Sequence, residues 1–187
     1  MLLSREQPEA FSAISERYGK KIYNFLVGLM DDRNAAEDVL QEAFLKAFEA
    51  RRSYEGRGAL SSWLYTIARN LVRDRARFNR HGKVVSLDLR DSGGDLPALK
   101  DSAPGPEEVA LSRRGVEWVR EALGRLPEAQ KEVLILSRFH GMTYNQIAEI
   151  VGASPEAVKQ KAYRAVMTLR NWYVAEVDDK EVGRESM

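Results

Sequence analysis

Apolar residues recur at helical spacing along most of the chain, and no useful length alternates apolar and polar positions as a strand would. Phe11, Ile14, Tyr18, Ile22, Phe25 and Leu29 form a first stripe, which predicts a helix ending near the sequence MDDRN. Asn34 and Glu37 suit the cap and third residue of a second helix. Its core face is Val39, Leu40, Ala43, Phe44, Ala47 and Phe48. The glycines of SYEGRGALSS interrupt the pattern. A third stripe of Leu60, Trp63, Leu64, Ile67, Leu71 and Val72 then runs on into RDRARFNR. Three amphipathic helices with short connections predict a helical domain over residues 1–81.

Periodicity is lost over residues 82–106, where Gly, Pro, Ser and Asp predict an extended or disordered linker. It resumes over residues 107–174. Pro106, Glu107 and Glu108 suit a helix start, where acidic groups favour the dipole. Val116, Val119, Leu123 and Leu126 mark a buried face that Pro127 ends. Val133, Leu134, Leu136 and Phe139 mark another helix, with His140 at its C-terminus and Gly141 closing it. Residues 175–187 predict a polar tail that frays. The fold class expected is all-α: two helical domains joined by an acidic flexible linker, the second containing a helix-turn-helix.

That last element is the segment TYNQIAEIVGASPEAVKQKAYRA. Thr143 can accept from the backbone three residues on, and Gln146 can reach back to it, which is a capping box. Ile147, Ala148 and Val151 line one face. Gly152 supplies the positive φ of a tight turn. Ser154 suits an N-cap and Pro155 the first helical position. The second helix is expected to bury Val158, Ala162, Val166 and Leu169, and to show Lys159, Gln160, Tyr163 and Arg164 outward. Such a helix can enter a DNA major groove. A helical hairpin with a solvated basic face fits the same residues.

Charge distribution narrows the choice. The net charge is only +1, but residues 57–83 carry 7 basic and 1 acidic side chains, and residues 111–172 carry 10 and 6. Residues 84–110 between them carry 2 and 6. Two basic blocks around an acidic linker are the electrostatic footprint of two modules approaching nucleic acid. Arg69, Arg73, Arg77 and Arg80 recur at three- or four-residue steps and share a broad helix face, with Arg75 off that stripe and Asp74 the one acid near it. A phosphate backbone would neutralise such a row and release counterions. Trp63 and Tyr65 fit either as stacking surfaces for bases or as ordinary core residues. Asp38, Gln41 and Glu42 make a polar ridge that fits a solvated face or a protein-docking surface equally well.

Other chemistry finds little footing. There is no cysteine, which excludes a disulfide framework, a thiolate metal site and a Cys nucleophile. Neither of the two histidines, His81 and His140, has acidic or hydroxyl partners at motif spacing. No ligand spacing suggests zinc or calcium, so no metal and no cofactor is expected. The N-terminus shows no signal-peptide pattern, and no apolar run is long enough for membrane insertion. A cytoplasmic protein is expected.

The segments DVLQEAFLKAF, SSWLYTIARNLVRD and LPEAQKEVLILSRFHGMTYNQIAEIVGASPEAVKQKAYRAVMTLR, in this order, resemble a bacterial sigma factor of the extracytoplasmic-function type. The resemblance covers roughly residues 8–80 and 107–172. It implies a non-enzymatic initiation factor that binds core RNA polymerase, through the β′ clamp helices and the β flap, and directs it to promoter DNA. It also implies an anti-sigma factor as partner. By this resemblance Asp38, Gln41 and Glu42 dock on the clamp helices, and Arg51 and Arg52, following in the same helix, extend that contact. Tyr54, Trp63 and the EGRGAL loop lie where a base of the −10 element is captured. Asn70 contacts the same strand, and Arg73 and Arg77 grip its phosphates. Lys159, Gln160, Lys161, Tyr163 and Arg164 face the −35 element, and Ser137 and Arg138 touch its backbone. The chain departs from many relatives at Gln160, where a Ser or Thr is common, and at Lys161, where an Arg is common. Gln can bond an adenine edge bidentately, so the usual −35 sequence does not carry over. A helix-turn-helix regulator acting on duplex DNA without polymerase is the alternative, and an α-helical enzyme acting on nucleic acid would need a metal or acid–base cluster that the sequence lacks.

Overall fold

The computed structural model describes residues 8–52, 54, 59–81 and 106–185. The expected linker, residues 82–106, lies outside them except for Pro106, and so does most of the EGRGAL loop. Helices α1 (Pro8–Met30), α2 (Arg33–Glu49) and α3 (Leu60–His81) form an N-terminal unit. Helices α4 (Pro106–Arg125), α5 (Glu128–Leu134), α6 (Tyr144–Val151) and α7 (Pro155–Glu185) form a C-terminal one. No strand occurs among the described residues.

The apolar stripes meet as their spacing predicts. Ile22, Phe25 and Leu26 of α1, Ala36, Val39, Ala43 and Ala47 of α2, and Leu64, Tyr65, Ala68 and Leu71 of α3 are buried together. The small residues of α2 let the three backbones approach, while Phe11 packs edge-on against Phe44 and Phe48. The start of α2 differs from expectation. Asp32, not Asn34, is its cap, with the Asp32 carboxylate accepting from the Ala35 N–H at 3.0 Å. Both residues are good caps, so composition alone did not separate them. The helix also stops earlier than expected. Arg51 and Arg52 stand on a separate 3₁₀ turn, Ala50–Arg52.

In the C-terminal unit, α5 passes into a π-helical turn, Ile135–Phe139, closed by the His140 N–H donating to the Ile135 carbonyl at 3.2 Å. Such a turn inserts a residue into the helical phase. Val133, Leu134 and Leu136 are buried as predicted, but Phe139 emerges half-exposed. The capping box of α6 is formed from both sides by Thr143 and Gln146. Gly152 turns the chain at φ 66°, and Ser154 caps α7 by accepting from the Ala157 N–H. On α7 the buried residues are Val158, Ala162 and Ala165, with Leu169 partly covered. Val166 is exposed instead, because Ala165 faces the close approach of α5, where Leu134 packs. Helix α7 continues through Glu185, across residues assigned to a frayed tail. Its later part is clasped to α4. Tyr173 lies edge-on to Trp118, Glu176 accepts from the Trp118 indole N–H at 2.6 Å, and Arg125 stacks over Trp172.

The two units share one core. Val133, Ile135, Leu136, Ile147, Ala148 and Ile150 of the C-terminal unit join the cluster of α1–α3. Gly28 of α1 faces Ile135, whose Cδ1 would lie 3.1 Å from any added Cβ, so a side chain there would crowd the seam.

Candidate nucleic-acid and polymerase interfaces

Three groups of the expected residues can be placed. On α2, Asp38 and Gln41 are exposed. Glu42 beside them is tied down, 3.3 Å from Arg75 of α3 and 3.6 Å from Lys46. These pairs are well exposed and contribute little stability. Their effect is to hold the Glu42 carboxylate in place and to engage the off-stripe Arg75. Arg51 lies with its guanidinium 3.9 Å over the Phe48 ring and donates to the Phe48 carbonyl. Arg52 is exposed on the same turn. Sequence reasoning missed Leu45. It is 64% exposed and stands three and four residues beyond Glu42 and Gln41, on the same face.

On α3, Trp63 is half-buried against the core and its ring centroid lies 5.0 Å from that of Tyr54. Trp63 thus packs against the core and also meets an aromatic partner beside the loop. Asn70, Arg73 and Arg77 are exposed along one side of the helix, with Phe78 exposed next to them. Arg69 departs from the row. Its side chain is turned under α5, where its Nε donates to the Glu132 carboxylate, and both side chains are nearly buried, at 11% and 9% exposure. Arg80 has no described side chain.

On α7, Lys159, Gln160, Tyr163 and Arg164 are exposed, as the pattern requires, while Lys161 is half-buried. Before the turn, Arg138 is exposed, whereas the Ser137 hydroxyl donates to the Leu134 carbonyl at 3.2 Å.

Electrostatic strain gathers at the seam between the units. Burial pushes the Glu132 carboxyl up, against the hydrogen bond and charge of Arg69 and the charge of Arg73. Burial lowers Lys131, whose Nζ donates to the Leu29 carbonyl at the end of α1. Burial raises the Tyr65 phenol, whose oxygen lies 2.9 Å from the His140 Nδ1. Burial and the nearby Lys21 charge lower His140 to about 4. The imidazole is therefore held neutral, and its tautomer sets which of the Tyr65 hydroxyl and the His140 Nδ1 donates in the bond between them. No group of side chains able to hold a metal occurs among the described residues. No helix there is long and apolar enough to cross a membrane.

A three-helix unit with an exposed arginine face, followed by a helix-turn-helix with an exposed polar reading helix, defines a two-part DNA-binding protein. Known proteins sharpen this. The sigma-70 region 2 model matches residues 14–82, and the sigma-70 region 4 model matches residues 116–169. The chain is 32% identical over 167 residues to the RNA polymerase sigma-H factor of Pseudomonas aeruginosa, covering 87% of this chain and 86% of that protein. It is 27% identical to the ECF RNA polymerase sigma factor SigX of Bacillus subtilis, covering 87% and 82%. A longer relative from Xanthomonas campestris pv. campestris, named "Probable RNA polymerase sigma factor RfaY", is 30% identical, and the match spans 44% of its length and 91% of this chain. Among solved structures, the sigma factor RpoE of Bartonella quintana, in complex with the anti-sigma factor NepR, superposes with a TM-score of 0.66 at 25% identity, covering 86% of this chain and 94% of that one. The chain belongs to the sigma factors of the extracytoplasmic-function type, the promoter-specific initiation factors of bacterial RNA polymerase.

Proposed function

We propose that this sigma factor docks on core RNA polymerase through the α2 ridge, holds the melted −10 strand on α3 and reads the −35 duplex with α7. The supporting observation is the order of three exposed faces along the chain, each on its own helix and each of matching chemistry. Asp38, Gln41 and Glu42 offer acceptors to the β′ clamp helices, Leu45 adds an apolar contact within that ridge, and Arg51 and Arg52 extend it. The β flap takes the C-terminal unit. The domains run over residues 1–81 and 107–174, with 82–106 as the tether.

Region 2 acts by differential binding. A base extruded beside Tyr54 and Trp63, with its strand along Asn70, Arg73 and Arg77, offsets the few kcal/mol that unpairing and unstacking cost. Those contacts exist only with open DNA, so they draw the promoter towards the melted state. Region 4 binds intact duplex. Gln160 presents an amide to base edges, Lys159, Lys161, Tyr163 and Arg164 flank it, and Ser137 and Arg138 stand towards the backbone. The chain itself performs no catalysis in this reading. It works in the bacterial cytoplasm, joins the nucleoid with polymerase, and is held inactive by an anti-sigma factor that covers these faces.

The test is a gel shift on promoter DNA with and without core enzyme. This reading predicts weak binding by the free chain and tight, specific binding once polymerase is added. Tight specific binding by the free chain, unchanged by core enzyme, would instead identify a regulator of duplex DNA.

A further inference from the structure

Arg69 stands in register with Arg73 and Arg77 on α3, one and two turns further back along the same basic helix. A row of like charges on a helix is stabilised by an anion laid along it. In this structure the anion at Arg69 belongs to the chain itself. Glu132 comes from α5, 63 residues away, and its carboxylate accepts from the Arg69 guanidinium. Three further contacts fasten α5 and its π turn to the N-terminal unit. The Tyr65 hydroxyl meets the His140 imidazole at 2.9 Å, Lys131 donates to the Leu29 carbonyl at 2.8 Å, and Ile135 sits on Gly28. The seam is nonetheless incompletely filled. A cavity of about 200 Å³ lies within it, lined by Lys21, Gly28, Ile135 and His140 among others. These polar contacts act together with the apolar core that the two units share.

We propose that Glu132 is a built-in occupant of the strand-binding face: its carboxylate takes the place of a strand phosphate at the Arg69 guanidinium, so the free chain is latched and must release α5 before Arg69 can join Asn70, Arg73 and Arg77 on the strand. The proposal rests on the reading of α3 as the strand-binding helix. It adds that region 4 is that helix's own competitor. The Arg69 guanidinium is nearly buried under α5, so a strand phosphate reaches it only once α5 has moved, and strand binding at Arg69 and closure exclude each other. Removing Glu132 therefore opens the chain and frees the first residue of the arginine row together.

The chain's lack of cysteine makes the test direct. Dyes are placed on Glu16→Cys and Arg170→Cys, both exposed and on opposite sides of the seam. Energy transfer is read in the free full-length chain, with circular dichroism to check folding. Glu132→Gln, which keeps the side-chain shape, and Arg69→Glu are each expected to shift the closed-to-open ratio at least about tenfold towards open, since each leaves a nearly buried charge unmatched. The exchange Arg69→Glu with Glu132→Arg is expected to restore closure. Binding of a fluorescein-labelled oligothymidylate is read in parallel. Glu132→Gln should tighten it about tenfold or more, and the exchanged pair should bind no better than the parent. Energy transfer unchanged in both single variants, or closure not restored in a folded exchange variant, overturns the latch. Opening without any gain in strand binding would leave the latch standing but refute the masking, and with it the assignment of Arg69 to the strand-binding row.

Discussion

Helices α3 and α7 are the two basic faces of this sigma factor, and they meet solvent differently. Helix α7 buries a narrow stripe, Val158, Ala162 and Ala165, and leaves Lys159, Gln160, Tyr163 and Arg164 outward. Helix α3 is buried on a broader arc. Leu64, Tyr65, Ala68 and Leu71 go into the core, and Tyr65 and Arg69 meet the C-terminal unit through His140 and Glu132. The basic face of α7 is thus open to solvent along its length, whereas that of α3 is partly engaged. Under the roles proposed above, the asymmetry suits the order of events at a promoter, where duplex is met before single strands exist. Helical periodicity tells which arginines share a face, but it does not tell what lies opposite that face.

The largest expected break in this comparison is Arg69→Ala. It leaves the Glu132 carboxylate nearly buried without its cation, which typically costs about 3–5 kcal/mol. Denaturant unfolding of the free chain should show that loss. Arg164→Ala, on the open helix, should leave stability within about 0.5 kcal/mol of the parent while weakening −35 binding. Equal stability losses in the two variants would mean that the two helices are not differently engaged.

Acidification is next in size. The buried His140 resists protonation until about pH 4, whereas an unfolded histidine takes a proton near 6.5. Its contribution is therefore complete above pH 6.5 and is lost as pH falls from 6.5 towards 4. The full loss is about 3 kcal/mol, at 1.36 kcal/mol per pH unit of displacement. Lys21, whose charge also lowers His140, and the Tyr65 hydroxyl and Phe25 ring against it offer the imidazolium no anion. Glu132, raised by burial, works in the opposite direction. The histidine is isolated by comparing the parent with His140→Gln. The drop in Tm between pH 7 and pH 5 should be larger in the parent, and the same drop in both would remove His140 from the account.

Gly28→Ala should produce the smallest change, about 1 kcal/mol of lost stability. The new Cβ overpacks against the Ile135 Cδ1, and the gain in helix propensity offsets part of that cost. Ile135→Val removes the Cδ1, so the double variant should be more stable than the sum of the two single changes predicts. Strict additivity in a double-mutant cycle would show that the two units are not in contact at this point.

Much of this was legible in the sequence. The apolar stripes located the helices, and Thr143 with Gln146, Gly152 and Ser154 specified the helix-turn-helix because caps and turns are set by neighbours within four residues. The errors were local shifts of phase or choices between like residues. Asp32 replaced Asn34 as a cap, and Ala165 replaced Val166 in the core because a small side chain fits where α5 comes close. The engagement of Arg69 was not legible. Its spacing marks it as one of a row, and a carboxylate 63 residues away satisfies it as well as a phosphate would. His140 was read as a helix end, which it is, but its contact with Tyr65 joins residues 75 apart and leaves no periodic trace. Leu45 was passed over because an apolar residue outside the stripe has meaning only once its neighbours are seen to be exposed.

The most direct test of the central claim is transcription itself. Core RNA polymerase is incubated with the purified chain and fragmented bacterial genomic DNA, and the 5′ ends of the transcripts are sequenced. The account predicts discrete start sites, absent without the chain, that share a duplex element upstream and a second element at the melted region. Transcripts no different from those of core enzyme alone would contradict it.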